Sequence, residues 1–160
     1  MNFDRITALG LVLALGLAGC GDHAHHEGDG HDHSSEGGGH THAAPHGGLL
    51  VELGDHEANV ELLLDAEAGT LTLFALGAHA EQPVRLSAAG IDLTLELPEG
   101  PVQFTLAPVA HGVTGETVGD TSEFKVQDPR LVGLTGLVGS LPAIEVRGAR
   151  YTDLSFGGAR

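Results

Sequence analysis

The sequence has little of the sulfur and aromatic chemistry on which many metal sites and protein cores depend. Cys20 is the only cysteine among 160 residues, and Met1 is the only methionine. An intrachain disulfide is therefore impossible, and neither a zinc site of several thiolates nor a methionine-rich Cu(I) site can form. The chain has no Trp, one Tyr and five Phe, so any hydrophobic core must be mainly aliphatic.

Basic residues are almost absent from the first half of the chain. After Arg5 the next cationic side chain is Arg85, and the formal net charge is −15 with His neutral. Such a charge is repelled by nucleic acid and offers no basic patch to anionic lipid, so cations are its natural partners. No nucleophile elbow and no phosphate-binding glycine loop is present. We therefore expect a protein that is not an enzyme and does not bind nucleic acid.

The first 20 residues have the pattern of an export signal. An apolar run over residues 6–18 is too short to span a bilayer as a permanent helix. It ends in LAGC at residues 17–20, which resembles the lipobox of bacterial lipoproteins. The resemblance implies a lipoprotein signal peptide at residues 1–19 and a lipidated Cys20 that anchors the mature protein. The implied location is the bacterial cell envelope, facing the periplasm, with the outer membrane slightly favoured because Gly21 follows the cysteine.

A histidine-rich stretch follows the lipobox. Residues 22–46, here called the His-rich segment, read DHAHHEGDGHDHSSEGGGHTHAAPH and hold eight of the eleven histidines, five carboxylates and no Lys or Arg. The absence of apolar periodicity predicts a disordered linker over residues 20–45. Neutral imidazole binds Zn²⁺, Cu²⁺ and Ni²⁺, and three or four donors suffice for zinc. The predicted metal ligands are His23, His25, His26, His31, His33, His40, His42, His46 and His56.

Two of these histidines lie at or inside the predicted domain. His46 stands where the His-rich segment meets the domain, and His56 stands in a turn with Asp55 and Glu57. Because turns at one end of a sandwich can converge, one interpretation is a folded site of both histidines and one carboxylate. The other interpretation is that they are ordinary polar turn residues. We expect His79 and His111 to be solvent-exposed loop residues.

From Leu49 onwards, short apolar runs alternate with polar residues at a period of two. Turn residues bound each run, and Asp128-Pro129 predicts a short helical turn over residues 131–137. About eight short strands at ten-residue spacing predict an all-β fold, an antiparallel immunoglobulin-like β-sandwich of 7–8 strands over residues 46–160. The predicted strands cover residues 49–53, 60–64, 70–76, 83–86, 91–97, 102–106 and 124–126, followed by a hairpin around Gly148-Ala149.

Three motifs together resemble a known family. They are PHGG at residues 45–48, a Gly54-Asp55 turn leading to NVEL at residues 59–62, and GTLTLF at residues 69–74. The combination is similar to the small β-domain near the N-terminus of heavy-metal efflux periplasmic adaptor proteins, and to envelope lipoproteins with a PHGG start. The family pattern commonly has a histidine where this chain has Asn59. The chain lacks the long helical hairpins and lipoyl-like domain of an adaptor, so we do not expect it to be one.

These observations lead to one main hypothesis and one alternative. The main hypothesis is a membrane-anchored envelope lipoprotein that binds divalent transition metal, namely zinc, copper or nickel, through the His-rich segment. It would buffer the metal or hand it to an efflux or uptake component. The alternative is a non-enzymatic interaction or structural module in which the His-rich segment is a solvated spacer. Membrane lipid is a predicted partner in both.

Overall fold

The fold is known from a computed structural model that describes residues 42–158. The predicted signal peptide, Cys20 and the histidines up to His40 lie outside the described residues. Within them the chain is all-β and antiparallel, which confirms the predicted class. No helix within this described part of the chain is long and apolar enough to cross a membrane. The strands are β1 (Leu49–Leu53), β2 (Ala58–Asp65), β3 (Thr70–Gly77), β4 (Ile91–Leu97), β5 (Gly100–Pro108), β6 (Glu123–Gln127), β7 (Gly139–Val146) and β8 (Ala149–Phe156).

The period-two runs located most of the strands. β1 and β4 begin and end at the predicted residues. Residues 83–86 instead form two isolated bridges, Leu76 to Pro83 and Leu86 to Thr121. A proline cannot donate to a ladder, which explains why no regular strand starts at Pro83.

The predicted helix over residues 131–137 does not form. Asp128 caps a single 3₁₀ turn, Pro129–Leu131, by accepting a hydrogen bond from the backbone N–H of Arg130. Gly133 then adopts a left-handed φ of +75°, which ends the turn. The short element still buries Leu131 in the core.

The eight strands form one sheet in the order β1-β2-β3-β6-β5-β4-β7-β8. β6 therefore lies between β5, which precedes it in the chain, and β3, from which β4 and β5 separate it along the chain. Its link to β5 is short, with only Ala107 opposite Lys125 and Pro108 opposite Phe124. The sheet curls until its edge strands face each other across a gap lined by residues 49–51 and 155–158. Two separate sandwich layers are not established by this connectivity.

One aliphatic core fills the inside of the curled sheet. Only three of its 22 buried members are aromatic. Strands from both ends of the sheet supply it, with Leu53 and Leu73 from one side and Leu93 and Leu106 from the other, all fully buried. The expected aliphatic core is thus confirmed.

The outer face of β2 is also buried, and this positions the candidate site. Alternation along β2 turns Val60 and Leu62 towards the core and Asn59 and Glu61 away from it. Even so, Asn59 is 1% exposed and Glu61 is 0% exposed. The residues that lead into β1 lie over this face, as the contacts of Glu61 show.

Candidate functional site

The PHGG motif is held against β2 by one carboxylate. Glu61 accepts the backbone N–H of His46 at 2.9 Å and that of Gly48 at 2.8 Å. It also lies 2.8 Å from Nδ1 of the His46 ring. Charge-assisted hydrogen bonds of this kind are about twice as strong as neutral ones. Glu61 therefore fixes the point at which the His-rich segment joins the domain, and we call this contact the Glu61 clamp.

Both glycines of PHGG are required by the backbone. Gly47 has a φ of +79°, a left-handed conformation that side chains disfavour. A methyl group on Gly48 would lie 2.5 Å from the carbonyl oxygen of Leu62. The backbone before β1 can therefore approach β2 closely only because no side chain stands between them.

Three histidines lie close together near the start of β2, beside the turn that joins β1 to β2. The ring of His42, the first described residue, lies with its centroid 6.3 Å from that of His56 and 5.6 Å from that of His79. His42 belongs to the His-rich segment, His56 to the β1–β2 turn, and His79 to the loop after β3. We call these three residues the His cluster.

Neighbouring side chains position the two domain members of the His cluster. Glu52 lies 3.2 Å from Nδ1 of His56 and also accepts its backbone N–H at 3.2 Å. Because Nδ1 faces that carboxylate, Nε2 is the nitrogen of His56 that remains without a hydrogen-bond partner among residues 42–158. Asn59 donates its side-chain N–H groups to the carbonyls of Gly77 and Ala78, at 2.9 and 3.0 Å. That amide therefore holds the loop that carries His79.

Asn59 leaves one polar atom unsatisfied. Its Oδ1 is buried and has no hydrogen-bond partner among the described residues. A buried acceptor without a donor costs roughly 1–3 kcal/mol, so such atoms are rare in proteins.

A second pairing of histidine and glutamate lies across the sheet. Glu61, Phe74 and Glu123 occupy one transverse row on β2, β3 and β6. The ring of His46 stacks on Phe74 at a centroid distance of 3.9 Å, and His111 lies 2.7 Å from Glu123. A groove of about 340 Å³ opens between the two imidazoles. Phe74 separates the two pairs, which are thus held apart.

Glu116 forms the buried end of this groove. Its carboxylate accepts hydrogen bonds from the side chain and backbone of Ser122 and from the hydroxyl of Thr114. Burial raises the pKa of Glu116, but these bonds and the charge of Arg85 outweigh it and hold the pKa below its usual value. Glu116 is thus an ionised structural anchor for the loop around His111.

The two histidines for which the sequence allowed a shared site have different contacts in the structure. His46 belongs to the Glu61 clamp, whereas His56 belongs to the His cluster with His42. In the arrangement seen, residues 42–158 contain no group of three or more His, Cys, Asp or Glu side chains that could hold a metal ion. His79 is exposed, as expected, yet it contacts His42. Its position in a glycine-flanked loop gave no sign of that contact.

Glu52, Asn59 and Glu61 were not singled out as functional residues by the sequence. Only the strand register could have linked them to the histidines, because each acts across strands or turns. Comparison with known proteins adds no further assignment, since no family model, curated protein or solved structure matches this chain.

Proposed function

We propose that this protein is a membrane-anchored envelope lipoprotein that binds divalent transition metal through its His-rich segment and passes it on. The observation that carries the proposal is the position of His42. The last histidine before the PHGG motif lies beside two histidines of the folded domain. A metal taken up by the His-rich segment would thus meet further imidazole donors where the segment reaches the domain.

The charge distribution supports capture of cations. Residues 6–84 contain no Lys or Arg, and the formal net charge is −15 with His neutral. A negative surface raises the local concentration of divalent cations and speeds their association. Binding that orders a chain segment is weakened by the entropy lost, so moderate affinity and fast exchange are expected. Both properties suit buffering or handover to an efflux or uptake component.

Metal titration tests the proposal. Calorimetry with Zn²⁺, Cu²⁺ and Ni²⁺ on the chain lacking residues 1–20 is expected to show binding tighter than millimolar. Binding must weaken between about pH 7.5 and about pH 5.5, because protonated imidazole cannot ligate. Affinity no tighter than millimolar for all three ions, or affinity independent of pH, would reject the proposal. The interaction-module alternative predicts that outcome.

The membrane anchor has its own test. Expression of the full chain in a bacterium fed an alkyne-bearing fatty acid is expected to label the protein. Cys20→Ala must abolish the label, because Cys20 supplies the only thiol for acylation. Label that persists in Cys20→Ala would contradict lipidation at this residue.

We also propose that the two halves of the sheet pack face to face as the layers of an immunoglobulin-like sandwich. The short link between β5 and β6 supports this, because two registered pairs can act as a hinge between layers. Methyl NOEs between β3 and β4 are expected for facing layers. If these NOEs are absent, the sandwich arrangement is rejected and the fold is a single curled sheet.

A further inference from the structure

We propose that His42, His56 and His79 form a folded transition-metal site that closes when an ion binds. This inference rests on the proposed metal-binding function and adds to it a specific ligand set. One ligand comes from the His-rich segment and two come from turns of the domain. The site is therefore the place where captured metal passes from the segment to the domain.

The spacing of the rings is close to that of rings sharing one ion. The centroid of a ligating imidazole lies about 3.2 Å from zinc, so two rings on one tetrahedral ion have centroids about 5.2 Å apart. The observed separations are 6.3 Å for His42 to His56 and 5.6 Å for His42 to His79. The two separations exceed the tetrahedral distance by about 1.1 and about 0.4 Å, so the rings have to move inwards when an ion binds. The rings meet edge to face and have to rotate for their nitrogen atoms to converge.

The surroundings of His56 resemble those of a metal ligand. Metal-binding histidines usually present their second ring nitrogen to a carboxylate, which orients the ring and raises its basicity. Glu52 occupies that position, 3.2 Å from Nδ1 of His56. His56 itself has a φ of +58°, so the tight turn fixes the direction in which its side chain leaves the backbone. Glu52 is a positioning residue and not a ligand.

The loop of His79 is fixed as well. Ala80 is 1% exposed and its N–H donates to the carbonyl of Gly77 at 2.9 Å. Asn59 binds the carbonyls of Gly77 and Ala78 from below, and its unsatisfied Oδ1 is the one buried orphan side-chain atom of residues 42–158. These contacts hold the backbone on both sides of His79, so the loop presents its imidazole from a fixed position. Three imidazoles with an open fourth position suit zinc or cobalt.

The test uses the full chain in detergent with Co²⁺ as the probe. A variant with every segment histidine from His23 to His40 changed to Asn keeps only the folded site. We expect it to bind one Co²⁺ with the intense visible bands of a tetrahedral ion, which Zn²⁺ displaces. His79→Gln and His56→Asn are expected to abolish these bands, and Asn at position 56 tolerates the left-handed φ. Glu52→Gln is expected to weaken binding about tenfold with unchanged bands.

The matched control is His111→Gln. His111 is also a half-exposed loop histidine paired with a glutamate, but it lies outside the His cluster. Its loss must leave the Co²⁺ spectrum unchanged, and circular dichroism checks that each variant is folded. If the wild type binds Co²⁺ but the segment variant does not, the folded site is rejected while the proposed function stands. If the wild type binds none, both are rejected.

Discussion

Replacing Glu61 tests how the His-rich segment is joined to the domain. The Glu61 side chain is 0% exposed and has three polar contacts. They are the backbone N–H groups of His46 and Gly48 and the Nδ1 atom of the His46 ring. Each hydrogen bond to a charged group contributes roughly 1.5–3 kcal/mol. Two effects reduce the sum, because a buried carboxylate is itself costly and the His46 side chain is 43% exposed. We expect Glu61→Ala to weaken the clamp by roughly 2–4 kcal/mol.

The amide of Gly48 reports this change directly. A loss of 2–4 kcal/mol corresponds to exchange with solvent that is about 30- to 700-fold faster, since 1.4 kcal/mol is a factor of ten. Hydrogen exchange followed by NMR measures the Gly48 rate, and urea unfolding followed by circular dichroism measures global stability in this Trp-free chain. Glu61→Gln keeps the shape but not the charge, so its effect must be smaller.

Glu145→Ala is the matched control, because Glu145 is an exposed glutamate on β7. It is expected to change neither the Gly48 exchange rate nor the urea midpoint. If Glu61→Ala leaves Gly48 exchange within about threefold of the wild type, the clamp contributes less than about 1 kcal/mol and the reasoning is refuted.

Three further outcomes follow from single residues. Gly48→Ala is expected to destabilise the domain by about 2 kcal/mol or more, because the new Cβ would lie 2.5 Å from the carbonyl oxygen of Leu62. The control is Gly112→Ala, whose Cβ meets no atom within 4 Å and which is expected to change stability by under about 0.5 kcal/mol. Equal urea midpoints for the two variants would contradict this. The hydrogen bond to Glu57 raises the pKa of Tyr151 above its usual value of 10.0. Ultraviolet titration of this single tyrosine must therefore show a midpoint above 10, which moves down in Glu57→Gln. Hydrogen bonds from the guanidinium of Arg130 lower the pKa of Asp128 from 3.8 to about 2. Its stabilising contribution is thus complete above about pH 4 and lost as pH falls towards 2, and Asp128→Asn must flatten the thermal stability over that range.

The strands were predictable because their signal is local. In β4 the alternation of Ile91, Leu93 and Leu95 with polar residues corresponds to buried and exposed positions on one curved sheet. The final hairpin was found with a shift of one residue. Arg147 and Gly148, with φ of +51° and +82°, form its turn, because a two-residue type I′ turn needs left-handed backbone at both positions.

Pairing order and the candidate site were not predictable in the same way. β6 pairs with β3, which lies about 50 residues earlier in the chain. The alternation of apolar and polar residues in a strand does not indicate which other strand it pairs with. The pattern of β2 turns Glu61 away from the core but does not show that residues 45–48 cover it. His42, His56 and His79 lie in irregular segments, where residue spacing does not determine distance.

The Glu61 clamp also decides where mechanical load enters the domain. Any tension on the chain ahead of Pro45 reaches the bonds of Glu61 to His46 and Gly48 before it reaches a strand. Behind the clamp, the β1–β2 ladder would open one pair at a time from Leu49. A carboxylate that bears the first load therefore shields the β1–β2 ladder, so a pull on the N-terminal chain need not peel the sheet from its edge.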